Sequence, residues 1–311
     1  MEAPSPPVLL HVGRELENWI IAGGRAERFA RLMRIRLRWS AYWFEQHAAM
    51  TARRCAATSI PINPVFIVGM WRTGSTALHQ SLSQVSGWTT PLTWQCFRPA
   101  DFLLVRPPQL RQIARPMDHF QIDTLSAQED EFAALVLGEP SLYRAFIDPR
   151  RLPELMNLLH QWQKPMQFGV PQLSDRWETF LKAVIQERSG RLLLKSPGHT
   201  FRLPWLAARF PGAQFIWLTR PAGEVLSSNH RMWSAMIDRY GLWRCPAGIL
   251  EAFLTAALRV HDEIFDWAQV ALRDRIEVVT FQEVIREPTQ LAARLFERIN
   301  AGEISSSRKS Q

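Results

Sequence analysis

The chain has 311 residues, of which 47% are apolar and 21% charged, with a formal net charge of +8. That length supports a full core without disulfide or metal staples, and the composition excludes wholesale disorder and fibrous repeats. Three cysteines, Cys55, Cys96 and Cys245, with no Cys-x-x-Cys spacing, exclude a disulfide scaffold and a cysteine-rich zinc site.

The cysteine usage fits a reducing, cytoplasmic compartment. No apolar run reaches the roughly 18 residues of a membrane-spanning helix. Glu15 and Glu17 interrupt the apolar residues near the N-terminus, which argues against a secretory signal. The positive charge asks for an anionic partner, and much of it is arginine between 25 and 54. Thirteen tryptophans favour a packed enzyme over a nucleic-acid-binding arm. No specific nucleic acid partner is therefore expected.

In chain order, Pro4, Pro6 and Pro7 make an extended lead, and the proline-free stretch 14–58 reads as helical. Residues 25–46 mix Arg with Leu, Met, Trp and Phe at helical spacing. This predicts an amphipathic helix whose arginine stems cover apolar surface, with peripheral membrane contact as the alternative. Pro61 marks a change. Residues 64–68 are a short apolar run apt for a buried strand, followed by a turn at Gly69 and a helix from Ser75 to about 85. Residues 90–190 read as mostly helical and punctuated by proline.

Further strands are expected at 191–195, 214–219 and 276–280, with helical patterns near 199–209, 222–238, 247–271 and 281–299. Strands alternating with helices predict an α/β fold, a parallel sheet flanked by helices. The expected organisation is a helical extension over 1–60, a main domain over 61–300 and a flexible tail over 301–311. Within the main domain, 90–190 would be a helical substrate-binding insertion.

The strongest chemical signal is Gly69-Met-Trp-Arg-Thr-Gly74-Ser75-Thr76, after a strand and opening a helix. Gly-x4-Gly is the spacing of a phosphate-binding P-loop. Successive backbone N–H groups curl around an anion there, and the helix N-terminus adds positive potential. Thr73, Gly74, Ser75 and Thr76 supply amides and hydroxyls. A P-loop NTPase carries Lys after the second glycine, where this chain has Ser75, and its basic residue is Arg72 within the loop. The expected strands end in Lys195, Thr219-Arg220 and Thr280, none in the Asp that holds Mg²⁺. The site reads as suited to a phosphate and poorly suited to Mg-ATP chemistry.

The segment from Pro64 to Leu78 resembles the 5′-phosphosulfate loop of sulfotransferases that use 3′-phosphoadenylyl sulfate (PAPS), with Trp71 in place of that loop's proline. The strand from Phe215 to Arg220, with Ser228 eight residues after that arginine, resembles the family's 3′-phosphate segment. A planar guanidinium and one hydroxyl are apt donors to a phosphate. Leu193-Leu-Lys195-Ser196-Pro197-Gly-His199 is similar to the Leu-Lys-[ST]-Pro-x-His segment of bacterial members. The cluster Gln128-Glu129-Asp130-Glu131 is similar to the acidic cluster of the same proteins. The resemblance covers roughly 60–300, in the family's order.

The resemblance implies transfer of a sulfuryl group from PAPS to a hydroxyl or amine of a small or lipid-like acceptor, without a metal. It implies that Arg72, Thr73, Gly74, Ser75 and Thr76 hold the 5′-phosphosulfate, that Arg220 and Ser228 hold the 3′-phosphate, and that Lys195 lies near the sulfuryl oxygens. His199 is the first candidate for the acceptor's base, since an imidazole is poised near neutral pH, and the acidic cluster, through Glu129 or Glu131, is its rival. The late basic loop of many members is represented only by Arg308 and Lys309. His79 and Trp217 read as structural. Two alternatives stand beside this reading: a Mg-ATP phosphotransferase with a degenerate loop, and a non-catalytic polyanion-binding P-loop protein.

Overall fold

A computed structural model describes residues 27–107, 109–110, 112–114, 121–163 and 173–301. The proline lead, the first part of the expected extension, and residues 302–311 with Arg308 and Lys309 lie outside the described residues.

In chain order the elements are helix α1 (Glu27–Arg54), strand β1 (Val65–Gly69), α2 (Ser75–Ser83), β2 (Trp88–Thr89) and α3 (Thr93–Phe97). A short hairpin, β3 (Gln112–Ala114) and β4 (Gln121–Asp123), comes next, then α4 (Asp130–Leu137), α5 (Leu152–Gln163) and α6 (Asp175–Glu187). The second half holds β5 (Arg191–Lys195), α7 (Pro197–Phe201), α8 (Leu203–Arg209), β6 (Gln214–Thr219) and α9 (Ala222–Tyr240). It closes with α10 (Ile249–Ala271), β7 (Ile276–Thr280), α11 (Phe281–Arg286) and α12 (Pro288–Ala301).

The main sheet has the order β2-β5-β1-β6-β7 with every neighbouring pair parallel. Parallel strands need crossovers, and the crossover helices cover both faces. Successive side chains of a strand point to opposite faces, so each strand feeds two cores. Val65 and Ile67 of β1, Leu193 of β5, and Ile216 and Leu218 of β6 pack on Leu78, Leu82, Val284, Leu291 and Leu295 of α2, α11 and α12. The alternate residues Phe66, Val68, Leu192, Leu194, Phe215 and Trp217 join the larger core on the opposite face, under α4 to α10. Trp217 is fully buried in mid-strand, as expected of a core residue.

The structure departs from the sequence reading in small elements. β2 has two residues and β3 and β4 three each, too short to carry a period that can be read. The helix expected over 199–209 starts at Pro197 and divides at Arg202, where Pro204 in the first turn of α8 lacks an N–H to continue the ladder. The last helix divides at Glu287, whose backbone leaves the helical region just before Pro288.

Candidate functional site

The carboxyl ends of β1, β5 and β6 bring three sequence segments to one edge of the sheet, where ligands of open α/β sheets bind. β1 runs into the glycine loop. Gly69 has φ +133°, and a Cβ there would lie 2.6 Å from the carbonyl oxygen of Leu218, so only glycine lets β1 and β6 come this close. Gly74 has φ +87° at the entry to α2. Between them Arg72 holds φ +70°, a left-handed conformation that strains a residue with a side chain.

The surrounding structure holds that strained turn at several points. Thr73 donates from Oγ1 to the Met70 carbonyl at 2.8 Å and closes the loop. Arg220 donates from Nη1 to the Arg72 carbonyl at 2.9 Å. Arg72 donates from Nε to Oγ of Ser228 at 3.2 Å. Arg220 and Ser228, picked out by their eight-residue spacing, thus meet the loop arginine directly. Neighbouring Ser227 instead donates to the Glu224 carbonyl of its own helix. Arg220 also stacks over Phe281 at 4.1 Å and pairs with the exposed Glu224. Two guanidinium groups beside a glycine turn and a helix N-terminus have the chemistry to hold an anion.

Two anchors were not visible in the sequence. Asn229 donates from Nδ2 to the Trp71 carbonyl at 2.9 Å, tying the loop to α9. Thr200 Oγ1 accepts from the Gly69 amide at 2.7 Å and donates to its carbonyl at 3.0 Å. Neither residue type carries a local signal, because its partner is distant in sequence.

The acidic cluster opens α4, and its three carboxylates take three basic partners from 195–202. Glu129 pairs with Lys195, Asp130 with His199 and Glu131 with Arg202. These pairs are not equivalent. The Glu129 side chain is 13% exposed, whereas Asp130 and Glu131 are at 0% and 1%. Lys195 donates to Glu129 and, at 3.1 Å, to Thr76 Oγ1 on the loop's helix, so Glu129 and Lys195 belong to the loop side.

His199 does not join them. Its ring lies edge-on to Phe66 at 5.4 Å and to Trp177 at 6.0 Å, and its Nε2 is 2.8 Å from Asp130 Oδ2, which also accepts from Trp177 Nε1. Glu131 forms a bidentate pair with the buried Arg202 at 2.6 and 3.1 Å. Burial opposes its ionisation, but the charge and hydrogen bonds of Arg202 prevail and hold its carboxyl below the ordinary value. Gly198 leaves room for that pair, since a Cβ there would lie 2.6 Å from Glu131 Oε2.

Glu129 has a second partner that sequence reading missed. The hydroxyl of Tyr143 donates to Oε2 of Glu129 and accepts from Trp71 Nε1 at 3.1 Å. Burial, and then the charge of Glu129, raise the Tyr143 phenol well above its usual pKa, so it stays a donor. The loop is therefore joined to Glu129 from two sides, through Trp71 and Tyr143 and through Thr76 and Lys195. The substitution of Trp71 for the loop's usual proline is the one sequence signal for this relay: an indole N–H donates where proline has none. His79 on α2 bonds Thr90 Oγ1 at 2.7 Å. Burial, with the nearby Lys195 charge, lowers its pKa to about 3, so it is neutral at ordinary pH.

The sequence profile described as "Sulfotransferase family" matches residues 64–301. Two curated relatives, each named omega-hydroxy-beta-dihydromenaquinone-9 sulfotransferase Stf3, from Mycobacterium bovis and Mycobacterium tuberculosis, are 28% identical over 261 residues. The match covers 81% of this chain and 66% of each relative, so the chain spans just under two thirds of their length. The crystal structure of sulfotransferase STF1 from Mycobacterium tuberculosis H37Rv superposes with a TM-score of 0.62 at 18% identity, over 96% of this chain and 85% of that one. That of STF9 from Mycobacterium avium gives 0.64 at 16% identity, over 88% and 74%. These two likenesses show the fold.

Proposed function

The chain belongs to the sulfotransferase family, and from that premise we propose that it moves a sulfuryl group from PAPS to a hydroxyl or amine of a small or lipid-like acceptor. The observation that carries this reading is the convergence of Arg72, Arg220 and Ser228 on the glycine loop, beside the Lys195–Glu129 pair. The cradle suits the donor. Gly69 and Gly74 open the backbone, and Arg72 with the amides and hydroxyls of Thr73, Gly74, Ser75 and Thr76 would hold a 5′-phosphosulfate. Arg220 and Ser228 would hold the 3′-phosphate.

The donor would supply the sulfuryl group, with its bond to the phosphate oxygen breaking as a bond to the acceptor oxygen or nitrogen forms. Glu129 takes the acceptor's proton, because it is the carboxylate of the cluster that faces the loop side. Lys195 stabilises the charge developing on the leaving phosphate. Tyr143 and Trp71 fix the orientation of Glu129. The enclosed pairs Asp130–His199 and Glu131–Arg202 position the segment that carries Lys195, and the base role passes from His199 and Glu131 to Glu129. A lipid-like acceptor is favoured by analogy with the relatives named for a menaquinone derivative.

Calorimetric titration with adenosine 3′,5′-bisphosphate, and separately with Mg-ATP, tests the reading on wild type and Arg220→Ala. Metal-independent bisphosphate binding that falls at least tenfold in the variant is expected. Binding of Mg-ATP alone would move the assignment to phosphotransfer. Bisphosphate binding indifferent to Arg220 would favour a general polyanion site.

A further inference from the structure

The outward face of α1 is aromatic where a helix on a folded domain is normally polar. Trp39 is 58% exposed, and Tyr42 and Trp43 are each 54% exposed. They lie at positions i, i+3 and i+4, on one stripe, and Met50 and Arg53, both exposed, continue it. The inward face is conventional: Ala41, Thr51 and Cys55 are buried, and Thr51 donates to the Ala100 carbonyl at 2.6 Å. The exposed rings pack on each other, Trp39 on Tyr42 at 6.4 Å and Tyr42 on Trp43 at 5.8 Å. Contiguous exposed apolar surface of this kind marks an interaction site.

The chemistry of the stripe identifies the partner. Tryptophan and tyrosine combine an apolar body with a polar tip, which suits the boundary between water and hydrocarbon. The helix sequence holds seven arginines, Arg28, Arg31, Arg34, Arg36, Arg38, Arg53 and Arg54, against Glu27 and Glu45. That balance complements a negatively charged surface, which attracts basic residues near its headgroups. A second copy of the chain would bring like charge against like. No described helix is long and apolar enough to cross a membrane, so α1 would lie on the surface of one. We propose that the aromatic face of α1 docks the protein on an anionic lipid bilayer.

The docking face is continuous with the candidate active site. Trp43 and the exposed Phe97 of α3 line a cavity of about 240 Å³ between α1, α3 and α4. Phe97 packs on Phe132 at 5.5 Å, and Phe132 on Tyr143 at 5.2 Å, the ring whose hydroxyl holds Glu129. An apolar tail leaving the bilayer would meet exposed rings at Trp43 and Phe97, where this row begins. This continuity rests on the function proposed above, whereas the docking itself does not.

The experiment is co-sedimentation of the full chain with vesicles of phosphatidylcholine alone and of phosphatidylcholine with phosphatidylglycerol. It compares wild type, Trp39→Ser/Tyr42→Ser/Trp43→Ser and the single variant Trp39→Glu, with light scattering to give the oligomeric state. Wild type is expected to bind the anionic vesicles, to release as salt rises, and to bind at least tenfold more weakly in both variants. The variants should keep bisphosphate affinity, which reports an intact fold. Absence of binding to anionic vesicles, or binding equal in wild type and both variants, would overturn the proposal. A wild-type dimer that the variants convert to monomer, with no vesicle binding, would assign the face to self-association instead. Vesicle binding by a chain that fails to bind the bisphosphate would retain the docking face and sink the sulfotransferase reading.

Discussion

Lys195 donates from its side-chain nitrogen to the carboxylate of Glu129, joining the carboxyl end of β5 to the N-cap of α4. These residues are 66 positions apart, and Thr76 of the loop's helix takes a second bond from the same nitrogen. A carboxylate, a cation and the helix of the glycine loop thus share one hydrogen-bond network.

Glu129→Gln removes the proposed base and keeps its shape. Turnover is expected to fall by about 10²–10⁴-fold, the usual contribution of a positioned base. Affinity for adenosine 3′,5′-bisphosphate should stay within a few-fold of wild type. His199→Gln should leave turnover per folded molecule largely intact, and its effect should appear in thermal unfolding. Retention of activity by Glu129→Gln, with loss in His199→Gln, would return the base role to the histidine.

Trp71→Phe and Tyr143→Phe each break the relay to Glu129. Each leaves a buried polar group without its partner, which costs about 1–3 kcal/mol of stability. The double variant should be less destabilised than the sum of the singles, because the partner left stranded by one change is removed by the other. Denaturant unfolding of all four proteins measures this coupling. Strict additivity would show that the indole and phenol do not act together.

Glu131→Gln strands the buried Arg202 guanidinium. Removing one partner of a buried ion pair costs about 3–5 kcal/mol, so the midpoint of urea unfolding should fall sharply. Glu178→Gln, which disrupts a pair with the exposed Arg209, should cost no more than about 1 kcal/mol. Equal midpoints for the two variants would contradict the burial of the Glu131–Arg202 pair.

His79 predicts a pH dependence of stability. Its folded pKa is about 3, below the ordinary histidine value of 6.5. Between those values the unfolded chain holds a proton that the folded chain does not. Stability should therefore fall as pH drops from about 6.5 towards 3, with a limiting slope of about 1.4 kcal/mol per pH unit from this one group. His79→Gln keeps a polar group near Thr90 and removes the titration. The difference in unfolding free energy between wild type and variant, followed from pH 7 to pH 5, should shrink or reverse as the medium acidifies. A difference independent of pH would show that His79 protonates normally in the folded state.

Much of this was legible in the chain itself. The apolar runs near 64–68, 191–195, 214–219 and 276–280 are strands of the parallel sheet because fully buried strands need no alternation to be recognised. The loop from Gly69 to Thr76 and the spacing from Arg220 to Ser228 stood out in the sequence because glycine and arginine have few substitutes in the anion-binding roles proposed for them. The two-residue β2, the β3–β4 hairpin and the breaks at Arg202 and Glu287 were not legible, because elements this short carry no period.

The sequence by itself determined the four longer strands of the sheet, the glycine loop and the Arg220 and Ser228 that meet it. Only the tertiary structure separates the surroundings of Glu129, Glu131 and His199, three candidates within two short segments: Glu129 is 13% exposed beside Lys195, whereas Glu131 and His199 are enclosed. Glu129 is the extended N-cap of α4 and Glu131 lies in its first turn, so Glu129 meets Lys195 at the loop while Glu131 meets Arg202 in the core. Whether a carboxylate is a base or a structural anchor depends on where its neighbours across the fold leave it, and those neighbours lie some 66–71 residues away in the chain. The relay from Trp71 through Tyr143 has the same origin: a hydrogen bond across 72 residues has no local pattern, and only packing brings its two ends together.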